Sequence, residues 1–196
     1  MKIYITDINS IRLDRVSELS NDRAQKTQRY KLSADKKRCI AGGLFINRFL
    51  CDNNILINEY GKPVSQNGEY FNISHSGDYV IFALCDCEVG CDIQRTDYIK
   101  TEGAAKFVFC KEEMNLLKNS YDKTDTFYTL WTKKESLLKC IGEGFHRSGK
   151  STDVSRNIYE ENGKKYYFKV FKFSDYIISA CSEKNDFPSG IEFVDL

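Results

Sequence analysis

A strand-length apolar segment that begins with Asp-Tyr occurs twice in this chain, and this echo constrains the fold more than any other feature. The first copy occupies residues 78–85, and the second begins 97 residues later, at residues 175–181. A shorter match, between residues 38–45 and 139–145, has a similar spacing of 101 residues. Two matches at nearly one spacing indicate a duplicated unit of a helix and a hairpin, although short apolar strings also match by chance.

The composition is that of an ordinary globular protein with one domain or two small lobes. The chain has 196 residues, of which 41% are hydrophobic and 29% charged, enough for a substantial core. Its 29 Lys and Arg residues nearly balance 28 Asp and Glu residues, which gives a net charge of +1. Nucleic-acid-binding modules normally carry a clear basic excess and exposed stacking aromatics, so we expect no nucleic-acid partner.

The N-terminus and the cysteine pattern predict a soluble, cytoplasmic protein that does not bind membranes. No apolar segment of secretory-signal length follows Met1, and the apolar run Tyr79–Cys85 is far shorter than the ~20 residues of a membrane span. The eight cysteines include no Cys-x-x-Cys pair, and His75 and His146 lie far from a second ligand, which disfavours a four-ligand structural zinc site. A disulfide framework is possible by count, but reduced thiols fit a chain without an export signal better.

Hydrophobic periodicity predicts a mixture of helices and strands, with no linker-like segment. The patterns favour helices over residues 13–30, 33–50, 111–118 and 126–141. They favour strands over residues 2–8, 71–74, 79–85, 88–94, 165–173, 176–181 and 191–194.

Two strand segments carry polar side chains with chemistry of their own. Ser74 and His75 precede a turn and can hydrogen-bond an anionic ligand, or satisfy nearby backbone groups in an ordinary turn. Asp92 and Gln94 share one face of a strand, because side chains two residues apart point the same way. Their oxygens suit a hard cation, although a solvated edge strand explains them equally well.

A third polar group lies on the helix predicted over residues 126–141. Glu135 and Lys139 are separated by one helical turn, so both side chains lie on one face. The ordinary interpretation is an exposed salt bridge that contributes a few tenths of a kcal/mol, on the order of 0.3–0.5. The functional interpretation gives the carboxylate to a metal or proton and the ammonium to a phosphate oxygen.

Together these segments resemble the 4′-phosphopantetheinyl transferases of the surfactin (Sfp) type. The matching motifs are Asn-Ile-Ser-His-Ser at 72–76, Gly-Cys-Asp-Ile at 90–93, Phe-Tyr at 127–128 and Trp-x-x-Lys-Glu-Ser-x-x-Lys at 131–139, with Tyr-Gly-Lys-Pro at 60–63. The resemblance implies an enzyme that moves the phosphopantetheine arm of coenzyme A to a serine of an apo acyl or peptidyl carrier protein. Adenosine 3′,5′-bisphosphate is the implied second product.

The resemblance also implies an α+β fold built as a pseudodimer of two similar lobes, each a small antiparallel sheet packed with a long helix. We place the N-terminal lobe at residues 1–97 and the C-terminal lobe at residues 98–196, with the coenzyme bound between them. A pseudodimer accounts for the two sequence echoes and favours a monomer.

The family's metal and catalytic residues map onto four positions of this chain. The resemblance implies Mg²⁺ bound by Asp92 and Glu135, with Gln94 contributing an amide oxygen or a metal-bound water. Glu135 is also the implied general base for the carrier serine, and Lys139 the implied contact to a pyrophosphate oxygen.

Coenzyme A contacts are implied for a second set of residues, namely Arg38, Lys62, Ser74 and His75, together with Lys139. The 3′-phosphate is the expected partner of Arg38 and His75. Arg23 and Lys26 fall near further basic contacts of the family, but their alignment is loose and no role is assigned to them.

One position departs from the family pattern. Many relatives have Asp-x-Glu where this chain has Asp92-Ile93-Gln94, and glutamine brings no negative charge. We therefore expect a weaker or more water-rich Mg²⁺ site. The same departure is what favours the alternative, a non-catalytic coenzyme A- or carrier-binding protein, whereas Glu135 and Lys139 favour an enzyme.

Carrier docking is expected at residues 106–118, where lysines and apolar residues occur together. Carrier proteins are acidic, so a basic and apolar surface complements them. The alternative is that these apolar residues belong to the core.

Overall fold

Two four-stranded sheets, each packed with one long helix, organise the computed structural model. The structure describes residues 1–52, 54–97, 102–142 and 149–196. Phe145, in one of the sequence echoes, and His146 lie outside the described residues. Within the described ranges, no helix has the length and apolar character needed to cross a membrane.

The N-terminal part contributes two helices and five strands among the described residues. In chain order they are β1 (Lys2–Asp7), α1 (Asn21–Arg29), α2 (Ser33–Phe49), β2 (Ile55–Ile57), β3 (Pro63–Ser65), β4 (Tyr70–Ser76) and β5 (Tyr79–Cys85). The helix predicted over residues 13–30 is divided, because a 3₁₀ segment at Leu13–Glu18 precedes α1. The β2–β3 hairpin was not predicted.

The remainder contributes three helices and five strands among the described residues. These are β6 (Val89–Arg95), α3 (Glu102–Val108), α4 (Lys111–Asn119), α5 (Lys123–Ile141), β7 (Ile158–Glu161), β8 (Lys164–Phe173), β9 (Tyr176–Ser182) and β10 (Glu192–Phe193). Helix α5 begins where the Asp122 carboxylate caps the backbone N–H of Asp125, and it ends at Gly142 with φ +82°, a left-handed conformation that favours glycine.

The two sheets repeat one strand arrangement. The first has the order β10-β1-β5-β4 and the second the order β6-β9-β8-β7, with antiparallel neighbours except for the parallel pair β1–β10. Strand β6 thus corresponds to β1, and hairpin β8–β9 to hairpin β4–β5. The apolar echo at residues 78–85 and 175–181 marks equivalent strands, and the predicted α+β fold of two similar units is confirmed.

Other sequence expectations differ from the structure. Arg38 lies in the first half of α2 and Lys139 in the last turn of α5, so the second echo does not mark equivalent positions. Strand β6, assigned from sequence to the N-terminal lobe, pairs along its whole length with β9 in the second sheet. The chain crosses between the sheets at residues 86–88, and the bounds of the two lobes remain a prediction.

A close approach between α5 and β6 positions the functional residues. At Gly90 in β6, a Cβ atom would collide with the backbone of Ser136 and Cys140 in α5. Glycine therefore allows the helix to lie directly on the strand, because it has no side chain in the contact. This contact brings the polar face of α5 over the middle of β6.

Candidate functional site

The Asn-Ile-Ser-His-Ser segment of β4 sends alternate side chains to opposite faces of its sheet. Asn72 Oδ1 accepts the backbone N–H of Cys91 at 3.0 Å, and Ser76 Oγ accepts the backbone N–H of Arg95 at 3.1 Å. Between them, Ser74 also faces β6. The even-numbered residues of the motif therefore join the two sheets, and the odd-numbered residues face the other way.

Asp92 is the centre of a polar cluster at the junction of β4, β6 and α5. Its carboxylate is buried, with 2% of the residue exposed. Asp92 Oδ1 accepts a hydrogen bond from Ser74 Oγ at 2.8 Å and pairs with Lys139 Nζ at 2.6 Å. Gln94 Nε2 donates to Asp92 Oδ2 at 3.2 Å. Three other residues singled out from sequence thus meet around the buried Asp92 carboxylate.

Lys139 is held in this cluster as a cation. Its ammonium also donates to Ser74 Oγ at 3.0 Å and to the backbone carbonyl of Cys91 at 3.2 Å. Burial is the largest single influence and opposes the charged form, but Asp92, Cys91 and Glu135 together outweigh burial and raise the pKa of Lys139. The ammonium therefore compensates the buried carboxylate.

Glu135 lies one helical turn before Lys139 and is half-buried beside the same cluster. Burial, with the negative charge of Asp92, raises the pKa of Glu135, whereas Lys139 acts in the opposite direction. The carboxyl groups of Asp92 and Glu135 are close enough for their negative charges to repel each other, because burial reduces the screening by water. The cluster therefore holds two acidic groups against one ammonium.

This donor set fits a hard divalent cation. Asp92 and Glu135 supply carboxylate oxygens, and Gln94 carries an amide that already contacts Asp92. The structure provides two observations in favour of the fit. A cation, the Lys139 ammonium, already pairs with Asp92, and added positive charge would stabilise the ionised form of Glu135, which burial and the charge of Asp92 disfavour.

A second polar site lies on the opposite face of β4. It is a cavity of about 90 Å³, and eight residues line it: Arg23, Lys26, Tyr30, Asp35, Arg38, Cys39, Ile73 and His75. Among these described residues, three Lys or Arg side chains accompany a single carboxylate. The cavity is thus electropositive and suited to an anion.

Arg38 and His75 form the wall of this cavity nearest to the β4–β5 turn. Arg38 Nη1 pairs with Asp35 Oδ1 at 2.6 Å, and Arg38 Nη2 donates to the Gly77 carbonyl at 2.7 Å, so α2 is fastened to the turn. Desolvation, followed by the positive charges of Arg38 and Lys139, lowers the pKa of His75. A bound phosphate would oppose this shift, because it stabilises the imidazolium.

Arg23, to which the sequence gave no firm role, lies across α2 at the floor of the cavity. Its Nε donates to the Cys39 carbonyl at 3.1 Å, and burial lowers its pKa. A Cβ at Gly42 would collide with the Arg23 guanidinium, and a Cβ at Gly43 would lie 2.9 Å from Arg23 Cδ. Two adjacent glycines inside an apolar helix are a sequence signal that could have indicated this half-buried arginine.

Lys62 is not among the residues that line the cavity. Its ammonium pairs with Glu88 at 2.5 Å and donates to the Cys140 carbonyl at 2.9 Å, next to the end of α5. In this structure, Lys62 connects the β2–β3 hairpin to α5. Its predicted contact with coenzyme A stays a prediction.

Lys134, the lysine of the Trp-x-x-Lys-Glu-Ser motif, lies in the core and contacts other elements of the fold, away from the Asp92 cluster. It is 1% exposed and pairs with Glu113, itself fully buried, at 2.8 Å. It also donates to the carbonyls of Gly149 and Thr152 at 2.7 and 2.6 Å. Lys134 therefore ties α5 to α4 and to the segment before β7, and its motif neighbour Glu135 reaches the polar cluster.

Comparisons with known proteins agree on one family. The model of the 4′-phosphopantetheinyl transferase superfamily matches residues 88–186. The 4′-phosphopantetheinyl transferase gsp of Aneurinibacillus migulanus is 33% identical, over 85% of this chain and 77% of that protein. The 4′-phosphopantetheinyl transferase Sfp of Bacillus subtilis is 30% identical, over 91% of this chain and 88% of that protein. An L-aminoadipate-semialdehyde dehydrogenase-phosphopantetheinyl transferase of Xenopus laevis is 32% identical, over 61% of this chain and 48% of that protein.

Proposed function

This chain belongs to the 4′-phosphopantetheinyl transferase superfamily, and from that premise we propose how its residues perform the transfer. The enzyme moves the 4′-phosphopantetheine arm of coenzyme A to a serine of an apo carrier protein. The observation that carries the assignment of the reacting site is the cluster around Asp92, in which acidic groups and an ammonium meet at the junction of β4, β6 and α5.

The transfer replaces one phosphorus–oxygen bond with another. The carrier serine Oγ bonds to the phosphorus that bears the pantetheine arm, and the bond from that phosphorus to the adenosine phosphate breaks. The serine proton goes to Glu135, directly or through a water, and adenosine 3′,5′-bisphosphate leaves. Glu135 suits this role because its raised pKa strengthens it as a base relative to an exposed glutamate.

Asp92 and Glu135, with Gln94, are the residues that would hold Mg²⁺. When bound, the ion supplies positive charge that neutralises the pyrophosphate. Lys139 forms an ion pair with Asp92. We place it on a pyrophosphate oxygen during the reaction, since a phosphate attracts an ammonium as strongly as a carboxylate does.

We place the 3′-phosphate of coenzyme A in the electropositive cavity, against Arg38 and His75. Arg23 and Lys26 add positive charge to the same cavity. Ser74 and His75 are consecutive on β4 and face opposite sides, so one strand can contact the 3′-phosphate and the pyrophosphate ends of the same ligand. Lys62 is retained as a further coenzyme contact on the family resemblance alone.

Residues 106–118 are the proposed docking surface for the carrier protein. The structure divides their apolar side chains: Phe109 and Leu117 are buried in the core, whereas Phe107 and Leu116 are 79% and 46% exposed. Exposed apolar groups beside Lys111 and Lys118 suit an acidic partner. Lys111→Glu or Lys118→Glu should raise the KM for the carrier and leave that for coenzyme A unchanged. A change in both constants would argue against docking here.

Incubation of the protein with coenzyme A, Mg²⁺ and an apo carrier tests the function through the carrier's intact mass. We expect a gain of one phosphopantetheine, absent with Glu135→Ala and retained with Glu192→Gln, a control at an exposed glutamate of β10. Coenzyme A binding without a mass gain on several carriers would favour the non-catalytic alternative. Gln94 would then be the first residue to restore to glutamate.

We also propose that the protein is a cytoplasmic monomer. All eight cysteines are unpaired, which supports a reducing compartment. The internal repeat of two sheet-and-helix units supports a monomer, because one chain supplies both sides of the site. Size-exclusion chromatography with light scattering tests the oligomeric state.

A further inference from the structure

The crossover between the two sheets carries two thiols and a carboxylate on one side. Cys85 ends β5, Asp86 and Cys87 form a bend, and β6 begins at Val89. Cys85 Sγ lies 3.6 Å from Cys87 Sγ and 3.6 Å from Asp86 Oδ1. All three ligand atoms lie within 4.8 Å of one another. None of these residues has a role in the proposed transfer reaction.

The distance between the two sulfur atoms matches chelation of one tetrahedral metal ion. With metal–sulfur bonds of about 2.3 Å, a separation of 3.6 Å corresponds to an S–metal–S angle of about 100°. A linear two-coordinate ion would hold the sulfurs about 4.6 Å apart on the same bond length. The geometry therefore selects a tetrahedral, thiophilic ion over a linear one.

Neighbouring residues fix the positions of the three ligands. Ser182 Oγ lies 3.2 Å from Cys87 Sγ and 3.8 Å from Cys85 Sγ, and the Ser182 side chain is itself buried on β9. Lys184 Nζ pairs with Asp86 Oδ2 at 2.5 Å, which orients the carboxylate. The cluster thus rests on β9 of the second sheet.

We propose that Cys85, Asp86 and Cys87 bind a zinc ion at the crossover between the sheets. Two thiolates and one carboxylate leave the fourth tetrahedral position to solvent, since Asp86 is exposed and both cysteines are partly exposed. The site differs from the four-ligand structural zinc that the sequence disfavours.

Cobalt substitution of the reduced, metal-free full chain tests the site. Thiolate-to-cobalt charge transfer gives a near-ultraviolet band, and tetrahedral cobalt gives intense visible bands, neither of which an all-oxygen site produces. We expect both at one cobalt per chain, with zinc displacing the cobalt and abolishing both. Cys85→Ser and Cys87→Ser should each remove most of the charge-transfer band, and Asp86→Asn should weaken cobalt binding by about tenfold or more.

Two variants serve as matched controls. Cys51→Ser changes an exposed cysteine outside the cluster, and Asp92→Asn disables the oxygen-rich site; both should retain the cobalt spectrum. A wild-type chain without the charge-transfer band, or an undiminished band in both Cys85→Ser and Cys87→Ser, would overturn the proposal. A disulfide between Cys85 and Cys87 that persists in reducing buffer would also overturn the proposal. It would be detected as the loss of two hydrogens from the intact mass, together with the absence of a cobalt spectrum. The transferase assay is independent, because it requires neither thiol.

Discussion

The two faces of strand β4 present opposite chemistry within the length of one residue. Ser74 points into a buried cluster where Asp92 and Glu135 need positive charge. His75 points into a cavity where Arg38 and its basic neighbours need negative charge. One side therefore suits a metal cation and the other an anionic phosphate, and these are the charges that the proposed Mg²⁺ and coenzyme A would supply.

From this contrast we expect the two sites to respond differently to substrate. In the cluster, the Lys139 ammonium already compensates Asp92, so under the proposed function Lys139 would move from Asp92 to the substrate when the metal binds. In the cavity, Arg38 is already occupied by Asp35 and the Gly77 carbonyl. Internal partners thus hold the side chains of both sites in place, and we expect the cluster to affect turnover and the cavity to affect affinity.

Asp92→Asn should have the largest effect, because it removes the charge at the centre of the cluster. We expect kcat to fall by about 10²–10³-fold, the usual cost of losing one group that stabilises developing charge. Affinity for coenzyme A in the absence of Mg²⁺ should stay within about threefold of wild type, as the cavity is untouched. Steady-state kinetics measures kcat, and calorimetry measures the affinity for coenzyme A. A loss of affinity with an unchanged kcat would contradict the assignment of Asp92 to the reacting site.

His75→Ala should have the converse effect on the other face. We expect KM for coenzyme A to rise by about 10-fold or more, since one charge-assisted hydrogen bond is lost, while kcat at saturation changes little. Arg29→Ala removes an exposed cation of α1 outside the cavity and serves as the control. A fall in kcat at saturating coenzyme A would show that His75 acts on the reacting end.

Gln94→Glu should change only the cluster, because it adds a carboxylate there and leaves the cavity unaltered. The added carboxylate should lower the Mg²⁺ concentration for half-maximal rate severalfold, because each negative ligand strengthens binding of a hard cation. It should not alter KM for coenzyme A at saturating Mg²⁺. An unchanged or higher Mg²⁺ requirement would contradict a role for residue 94 at the metal.

Glu135→Gln should slightly stabilise the metal-free protein, although it removes the proposed general base. Because the folded-state pKa of Glu135 is raised, the wild type gains stability from this group at low pH and loses it as the pH rises through that pKa. The neutral glutamine escapes this loss. Thermal unfolding with a chelator should therefore show a higher Tm for the variant near neutral pH and a vanishing difference in acid. A lower Tm at neutral pH would mean that Glu135 makes a stabilising contact.

The sequence predicted the chemistry of the site better than its geometry. Strand and helix periodicity placed Asp92 and Lys139 on β6 and α5, and the structure brings them together. The sequence did not predict that Ser74 faces the cluster while His75 faces the cavity, because strand register and sheet pairing depend on distant residues. The ion pair of Lys62 with Glu88 and the burial of Arg23 against α2 are likewise long-range contacts that no local pattern encodes.

The Trp-x-x-Lys-Glu-Ser-x-x-Lys motif contains both a lysine that packs in the core and a lysine that reaches the site, and sequence alone does not distinguish them. Lys134 and Lys139 both belong to it, yet Lys134 is buried against Glu113 and Lys139 contacts Asp92. The distinction arises from which face of α5 meets β6, which the close contact at Gly90 determines. A motif therefore identifies the helix, and packing decides which lysine reaches the site.

The most direct test of the two-site account compares coenzyme A with 3′-dephospho-coenzyme A by calorimetry, in wild type, Arg38→Ala and Asp92→Asn. We predict that wild type and Asp92→Asn both prefer coenzyme A by about 10-fold or more, the contribution of a charge-assisted phosphate contact, and that Arg38→Ala loses this preference. Circular dichroism confirms that each variant is folded. A preference retained in Arg38→Ala, or lost in Asp92→Asn, would contradict the assignment of the 3′-phosphate to the cavity and the pyrophosphate to the cluster.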